Sequence, residues 1–258
     1  HLARTPGMER IHEIDYAVIG QGIAVGMLKR ALRSRFGNPA ARSKPLVLLL
    51  LGPPGHGKTC IARNLAASLV GVENFLEVAC GGLRDDADLF GSCLGGARSG
   101  TYSSDGRLTG FLRARQCTDT IVFMDEFEKM KGLTSALGWE QAKKMYQAFL
   151  EPWQEGTLTD VGAASNEAKI DCGRTVWILT SNWGQKDIVD FAEEHPDRVH
   201  KKMDENDLEW VKRELIEKTL NKLLQQEFKG VNAEMQALSR RIDFTVPFLP
   251  FTEKERKV

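Results

Sequence analysis

The feature that most limits how this chain can fold is the run Gly-Pro-Pro-Gly-His-Gly-Lys-Thr at residues 52–59, taken with what flanks it. Leu46 to Leu51 is an unbroken apolar run, the mark of a strand buried on both faces of a parallel sheet. Ile61, Ala62, Leu65 and Leu69 then recur at helical spacing. A glycine-rich segment of the form G-x-x-x-x-G-K-[ST] between such a strand and such a helix is a phosphate-binding loop. Small residues let the main chain curl until its N–H groups point inward, and the helix N-terminus adds partial positive charge. Lys58 supplies a full charge, and the Thr59 hydroxyl is placed to ligate Mg²⁺. An ordinary glycine-rich turn would not need the whole pattern in this context. The chain therefore reads as an α/β nucleotide-binding protein.

The rest of the chain supplies the partners of that loop. Phe75 to Cys80 reads as a second strand, and Gly81 to Gly110 as a surface loop, or a short helix followed by one. Ile121 to Met124 is another apolar strand, ending in Asp125 and Glu126. A carboxylate pair at the carboxyl end of a parallel strand lies where such sheets bind ligands. Asp125 is expected to hold Mg²⁺ through its water shell, and Glu126 to orient or deprotonate the attacking water. Alone, such a pair is also what a solvated strand end looks like; the complete phosphate loop decides between them. Val176 to Thr180 delivers Ser181 and Asn182 to the same edge, where an amide can bond both the γ-phosphate and the water. Taken singly, Asn182 would be read as a turn residue.

Elsewhere, residues 1–17 read as a linker or short lead-in helix, and Ala24, Met27, Leu28, Ala31 and Leu32 as an amphipathic helix. Arg33 to Lys44 reads as a loop, Ala142 to Trp153 as one helix, and Glu155 to Arg174 as an exposed hairpin or loop. Leu208, Val211, Leu215, Leu220, Leu223 and Leu224 mark a single amphipathic helix over Asp204 to Phe228. The alternation of Ile242, Phe244, Val246 and Phe248 suggests a half-buried edge strand. Lys plus Arg equals Asp plus Glu, 35 of each, so no global field draws the chain to nucleic acid or anionic lipid. The five cysteines (Cys60, Cys80, Cys93, Cys117 and Cys172) form no C-x-x-C pair, which fits the cytoplasm or another reducing compartment. No apolar run approaches the ~20 residues of a membrane helix. The chain starts at His1 without an initiator Met and is expected to be a piece of a longer protein.

In order, these pieces resemble the AAA+ ATPases, and among them the Clp-type heat-shock unfoldases and disaggregases, over about residues 15–258. Val18-Ile19-Gly20-Gln21 looks like their V-[IV]-G-Q segment, residues 52–59 like Walker A, and Asp125-Glu126 like Walker B. Glu155 to Asp160 resembles the E-G-x-L-T-D of a second pore loop, Thr180-Ser181-Asn182 their T-S-N, and Arg241-Ile242-Asp243 the R-I-D of an arginine-finger segment. The resemblance implies a P-loop NTPase with a doubly wound, five-stranded parallel sheet. Residues 1–251 would form the large subdomain, and 252–258 the start of a helical lid that is otherwise missing. It also implies ATP/ADP and Mg²⁺ as ligands. Val18 and Ile19 would line the adenine pocket, and Pro54, Gly55, His56, Gly57, Lys58, Thr59 and Cys60 would hold the nucleotide. Thr59 and Asp125 would serve the metal, and Lys58, Glu126, Asn182 and, in trans, Arg241 would carry catalysis, with Arg240 outside the matched motif.

The expected assembly is a homo-oligomeric ring, usually of six, with this piece alone largely monomeric, weak in binding and slow in hydrolysis. The expected work is protein unfolding or remodelling; the alternative is a nucleotide-switched scaffold that threads nothing. Gly95 to Gly100, matching the family's aromatic grip, has no aromatic residue, and Tyr102 is the nearest substitute. That departure favours the alternative. A DNA-associated machine fits neither the charge balance nor the Glu155 to Asp160 segment.

Overall fold

The computed structural model describes residues 8–16, 18–38, 41, 43–91, 105–132, 139–160, 168–199, 204–229, 237–252 and 255. Five parallel strands form one sheet, in the order β2 (Phe75–Ala79), β3 (Thr120–Asp125), β6 (Thr175–Ser181), β1 (Leu46–Leu51) and β7 (Phe244–Pro247). Among the described residues two further strands, β4 (Thr157–Thr159) and β5 (Lys169–Asp171), pair antiparallel. The doubly wound parallel sheet expected from the sequence is therefore the architecture observed.

Two-residue periodicity sorts each central strand into two apolar layers. Leu46, Leu48 and Leu50 join Ile121, Phe123, Val176 and Ile178 on one face; Val47, Leu49 and Leu51 join Val122, Met124, Trp177 and Leu179 on the other. The first face is covered by α1 (Gly22–Gly37), α2 (Lys58–Leu69) and Ile11 and Ile14 of the lead-in 3₁₀-helix Met8–Tyr16. The second is covered by helical segments that contribute Leu108, Leu112, Tyr146, Phe149, Ile188, Leu215 and Leu220. Leu48 and Leu49 are both fully buried but in opposite layers, so truncating either to Ala opens a separate cavity costing about 2–5 kcal/mol. Both faces covered leaves the strand ends as the place for ligands.

Four sequence expectations need correction. Helix α1 runs through Gly37, past the point where a loop was expected, because Leu28, Leu32 and Phe36 continue one buried stripe at four-residue spacing. The helix expected over Ala142 to Trp153 is two, Trp139–Ala148 and Leu150–Gln154. Pro152 has no N–H to give the Ala148 carbonyl, so the chain resets at Phe149, whose N–H bonds Tyr146 O at 3.1 Å. The long C-terminal helix is α-helical over Glu205–Val211, π-helical over Lys212–Leu220 and α-helical again over Asn221–Lys229. Leu215 and Leu220, both buried, are five residues apart, and i→i+5 turns keep them on one side. Finally, the hairpin is not wholly exposed: Leu158, Ile170 and Cys172 are buried against the second layer.

Candidate active site

The strand β1 ends at Leu51, and the chain then turns through conformations that only glycine tolerates. Gly52 has φ +149°, and a Cβ there would sit 2.4 Å from Phe248 O; Gly57 has φ +89°, and a Cβ there would sit 2.6 Å from Val18 Cγ1. Lys58 opens α2 and is only 8% exposed. Its ammonium bends back to donate to Gly52 O (2.6 Å), Pro53 O (2.9 Å) and Asn182 Oδ1 (3.1 Å). Burial pulls its pKa below the ordinary lysine value, while Glu128, Asp125 and Glu126 pull the other way.

Neighbouring strands bring the acidic half. Asp125, at the tip of β3, accepts from Thr180 Oγ1 at 2.5 Å and from Thr59 Oγ1 at 3.3 Å. Thr180 in turn accepts from Glu126 N at 3.0 Å. Glu126 has φ +56°, a strained conformation for a residue with a side chain, of a kind that clusters at functional sites. Its carboxylate, 43% exposed, pairs with Lys129 at 2.6 Å. Residues 54–60, Asp125, Glu126, Glu128 and 180–182 line one cavity of about 420 Å³. Thr59 and Asp125 offer the oxygen donors a hard cation prefers. Among the described residues no group of three or more His, Cys, Asp or Glu side chains forms a metal cage. Mg²⁺ needs none, since it is held by one or two protein oxygens together with water and substrate phosphates.

Of the residues singled out in the sequence, Pro54 to Cys60, Asp125, Glu126 and Asn182 meet in this cavity. Val18 packs against Gly57 beside it, whereas Ile19 stands 56% exposed. Arg241 lies elsewhere: it precedes β7, near the level where Asp243 N bonds Val47 O, at the opposite end of the sheet. Asp160 is buried in a bidentate pair with Arg113 (2.5 and 2.6 Å). Tyr102 and Gly95–Gly100 fall outside the described residues.

Three neighbours of the site were not assigned roles from sequence. Thr180 ties Asp125 to the main chain of Glu126. Glu128 accepts from both the main-chain and side-chain N–H of Asn182. Phe251 stacks on His56 with ring centroids 4.9 Å apart. Thr180 stands inside the matched Thr180-Ser181-Asn182 segment, and Glu128 two residues beyond the Asp125-Glu126 pair; nothing local in the sequence marks Phe251.

Residues 48–204, more than half of the chain, match the model of the ATPase family associated with various cellular activities (AAA). The Chaperone protein ClpB of Chlamydia caviae is 28% identical over 253 residues, covering 94% of this chain and 24% of the relative. The peroxisomal Lon protease homolog 2 of Pichia angusta is 33% identical over 146 residues, 56% of this chain and 14% of the relative. The Lon protease of Leptospira interrogans is 36% identical over 117 residues, 42% of this chain and 13% of the relative. The chain thus spans about a quarter of the length of the ClpB relatives it matches.

Proposed function

Because the chain belongs to the AAA family of ATPases, we propose that its cleft binds ATP with Mg²⁺ and hydrolyses the terminal phosphoanhydride bond. The observation that carries this reading is the meeting, in one cavity, of a buried ammonium from α2 and a carboxylate from β3. Lys58 spends two donors on neutral carbonyls, and phosphate oxygens are the stronger acceptors for a cation. Main-chain N–H groups of residues 55–60 complete the cradle. Thr59 and Asp125 would hold Mg²⁺, which when bound neutralises charge on the β- and γ-phosphate oxygens. Glu126 accepts the proton of the attacking water, for which its carboxylate must leave Lys129. Val18 and Ile19 flank the base.

Arg241 serves the nucleotide of an adjoining copy in a ring. The work done is remodelling of other proteins, a reading that rests on similarity to a relative named as a chaperone. The absence of an aromatic residue from the sequence Gly95–Gly100 favours, as a second reading, a nucleotide-switched assembly that threads nothing. Thiols without a disulfide at Cys80, Cys117 and Cys172, among the described residues, suit a reducing compartment.

The test is Glu126→Gln, which keeps the shape but removes the base. ATP affinity is expected to stay within a few-fold while single-turnover hydrolysis falls by about 10²-fold or more. Hydrolysis at the wild-type rate would remove Glu126 as the base. A chain that takes up no ATP at all would remove the whole reading.

A further inference from the structure

Glu128 has no part in the chemistry above, yet its placement is tightly specified. It lies three residues beyond the end of β3 in the 3₁₀-helix Phe127–Gly132, between Phe127 and Met130, both fully buried. Phe127 packs against Tyr146, Phe149, Trp153 and Trp183, which anchors the backbone there. Because β3 and β6 are neighbours, this turn reaches Asn182 just past β6. One carboxylate oxygen, Oε1, accepts from Asn182 N at 3.2 Å and from Asn182 Nδ2 at 3.0 Å. The other, Oε2, is buried without a hydrogen-bond partner among the described residues, where the carboxylate's bonding goes to Asn182.

The polarity of this arrangement matters. An ionised carboxylate only accepts and an ammonium only donates, whereas an amide does both through different atoms. With Glu128 on one side and Lys58 on the other, one amide orientation satisfies both: Nδ2 toward the carboxylate and Oδ1 toward the ammonium. The flipped amide would set oxygen against carboxylate and N–H against ammonium.

We propose that Glu128 is a positioning residue for ATP hydrolysis: it fixes the orientation of the Asn182 amide, so that one Nδ2 hydrogen is held and the other is left for the cleft. The inference rests on the reading of the cleft as an ATPase site. Glu128 touches no reacting group itself; it acts through Asn182.

The test uses two variants of the chain with thermal unfolding as the folding control. Glu128→Leu removes both acceptors, and single-turnover hydrolysis is expected to fall by up to ~10²-fold, as for small misplacements of a reacting group. ATP affinity stays within about threefold, because the lost interaction belongs to the chemical step and not to binding. Glu128→Gln keeps an acceptor at Oε1 and recovers part of the rate. Adding Glu128→Leu to Asn182→Ala costs nothing further, since the two act as one unit. The side-chain amide of Asn182, observed by selective nitrogen-15 labelling, loses its carboxylate-bonded proton signature in Glu128→Leu. Wild-type hydrolysis in Glu128→Leu, additive losses in the double variant, or an unchanged Asn182 amide would each overturn the inference. A wild-type chain without ATP turnover would sink both readings, whereas an unchanged amide would sink only this one.

Discussion

At the carboxyl ends of β1, β3 and β6, an ammonium, two carboxylates, two hydroxyls and an amide bond one another within a single chain, with Glu128 Oε2 left buried and unbonded among the described residues. At the opposite end of the same sheet, Arg241 sits ahead of β7 with a buried Nε that has no hydrogen-bond partner among the described residues. Under the proposed function the first end receives ATP: the Lys58 ammonium has neutral acceptors in hand, and a triphosphate exchanges these for stronger ones. The second keeps a desolvated donor unmatched, a state that costs about 1–3 kcal/mol and persists where something else offsets it. Under the proposed function, Arg241 must turn outward from this buried position to meet the phosphate of an adjoining copy. The difference gives each end its own signature: affects at one are felt by the copy that carries the change, at the other by its neighbour.

The largest expected effect tests that division directly. Arg241→Ala should lower turnover by about 10³-fold or more in assembled copies while leaving ATP affinity nearly unchanged, as for an arginine supplied in trans. Mixing this variant with Lys58→Ala, which is inactive for a different reason, should restore a measurable fraction of the rate. Each Lys58→Ala copy then lends its guanidinium to a neighbour with an intact cleft. Mixtures as dead as their components would place Arg241 outside the reaction.

Next in size is Lys58→Ala itself, expected to weaken ATP binding by about 10²-fold, on the scale of one or two charge-assisted hydrogen bonds. The effect should be the same in isolated and mixed copies, because this end of the sheet is complete in one chain. The pH dependence sharpens the point. Burial lowers the pKa of Lys58 below the ordinary 10.5, so its charge is lost earlier as pH rises. ATP affinity should therefore begin to fall below pH 10.5, and titrations across the alkaline range should find that decline gone in Lys58→Ala. Affinity that stays flat to 10.5 would mean the ammonium is not desolvated as described.

How much of this contrast could be read from sequence depends on whether the information was local. The strand Leu46–Leu51, its glycine loop and the start of α2 were legible because a buried parallel strand needs an uninterrupted apolar run, and the loop is contiguous with it. The tips of β3 and β6 were legible for the same reason, which placed Asp125, Glu126 and Asn182 at one edge. What escaped was pairwise. The bond between Glu128 and Asn182 joins positions 54 apart, and depends on β3 and β6 being neighbours. The stack of His56 on Phe251 depends equally on where the chain goes after β7. Other misses were local but overlooked: Pro152 marked the helix break, and the five-residue step from Leu215 to Leu220 marked the π-helix.

The smallest expected effect uses two cysteines that sample the two ends. Cys60 lines the cleft at the carboxyl end, and Cys117 precedes β3 at the amino end; both are exposed. Burial pushes the Cys172 thiol up to about 12 and raises that of Cys80 too, so neither is a competitive nucleophile near neutrality. A mild alkylating reagent should thus modify Cys60 and Cys117 well before Cys80 or Cys172. ATP should slow modification of Cys60 by several-fold, in proportion to the time the cleft is filled, and leave Cys117 untouched. Peptide mass spectrometry reads both sites in one sample, so Cys117 serves as an internal control for reagent and folding. Equal protection of the two thiols would mean that ATP tightens the whole sheet, and the contrast between its ends would no longer describe how this protein binds nucleotide. Protection of neither would place the ligand away from α2, against the geometry of Lys58 and Thr59.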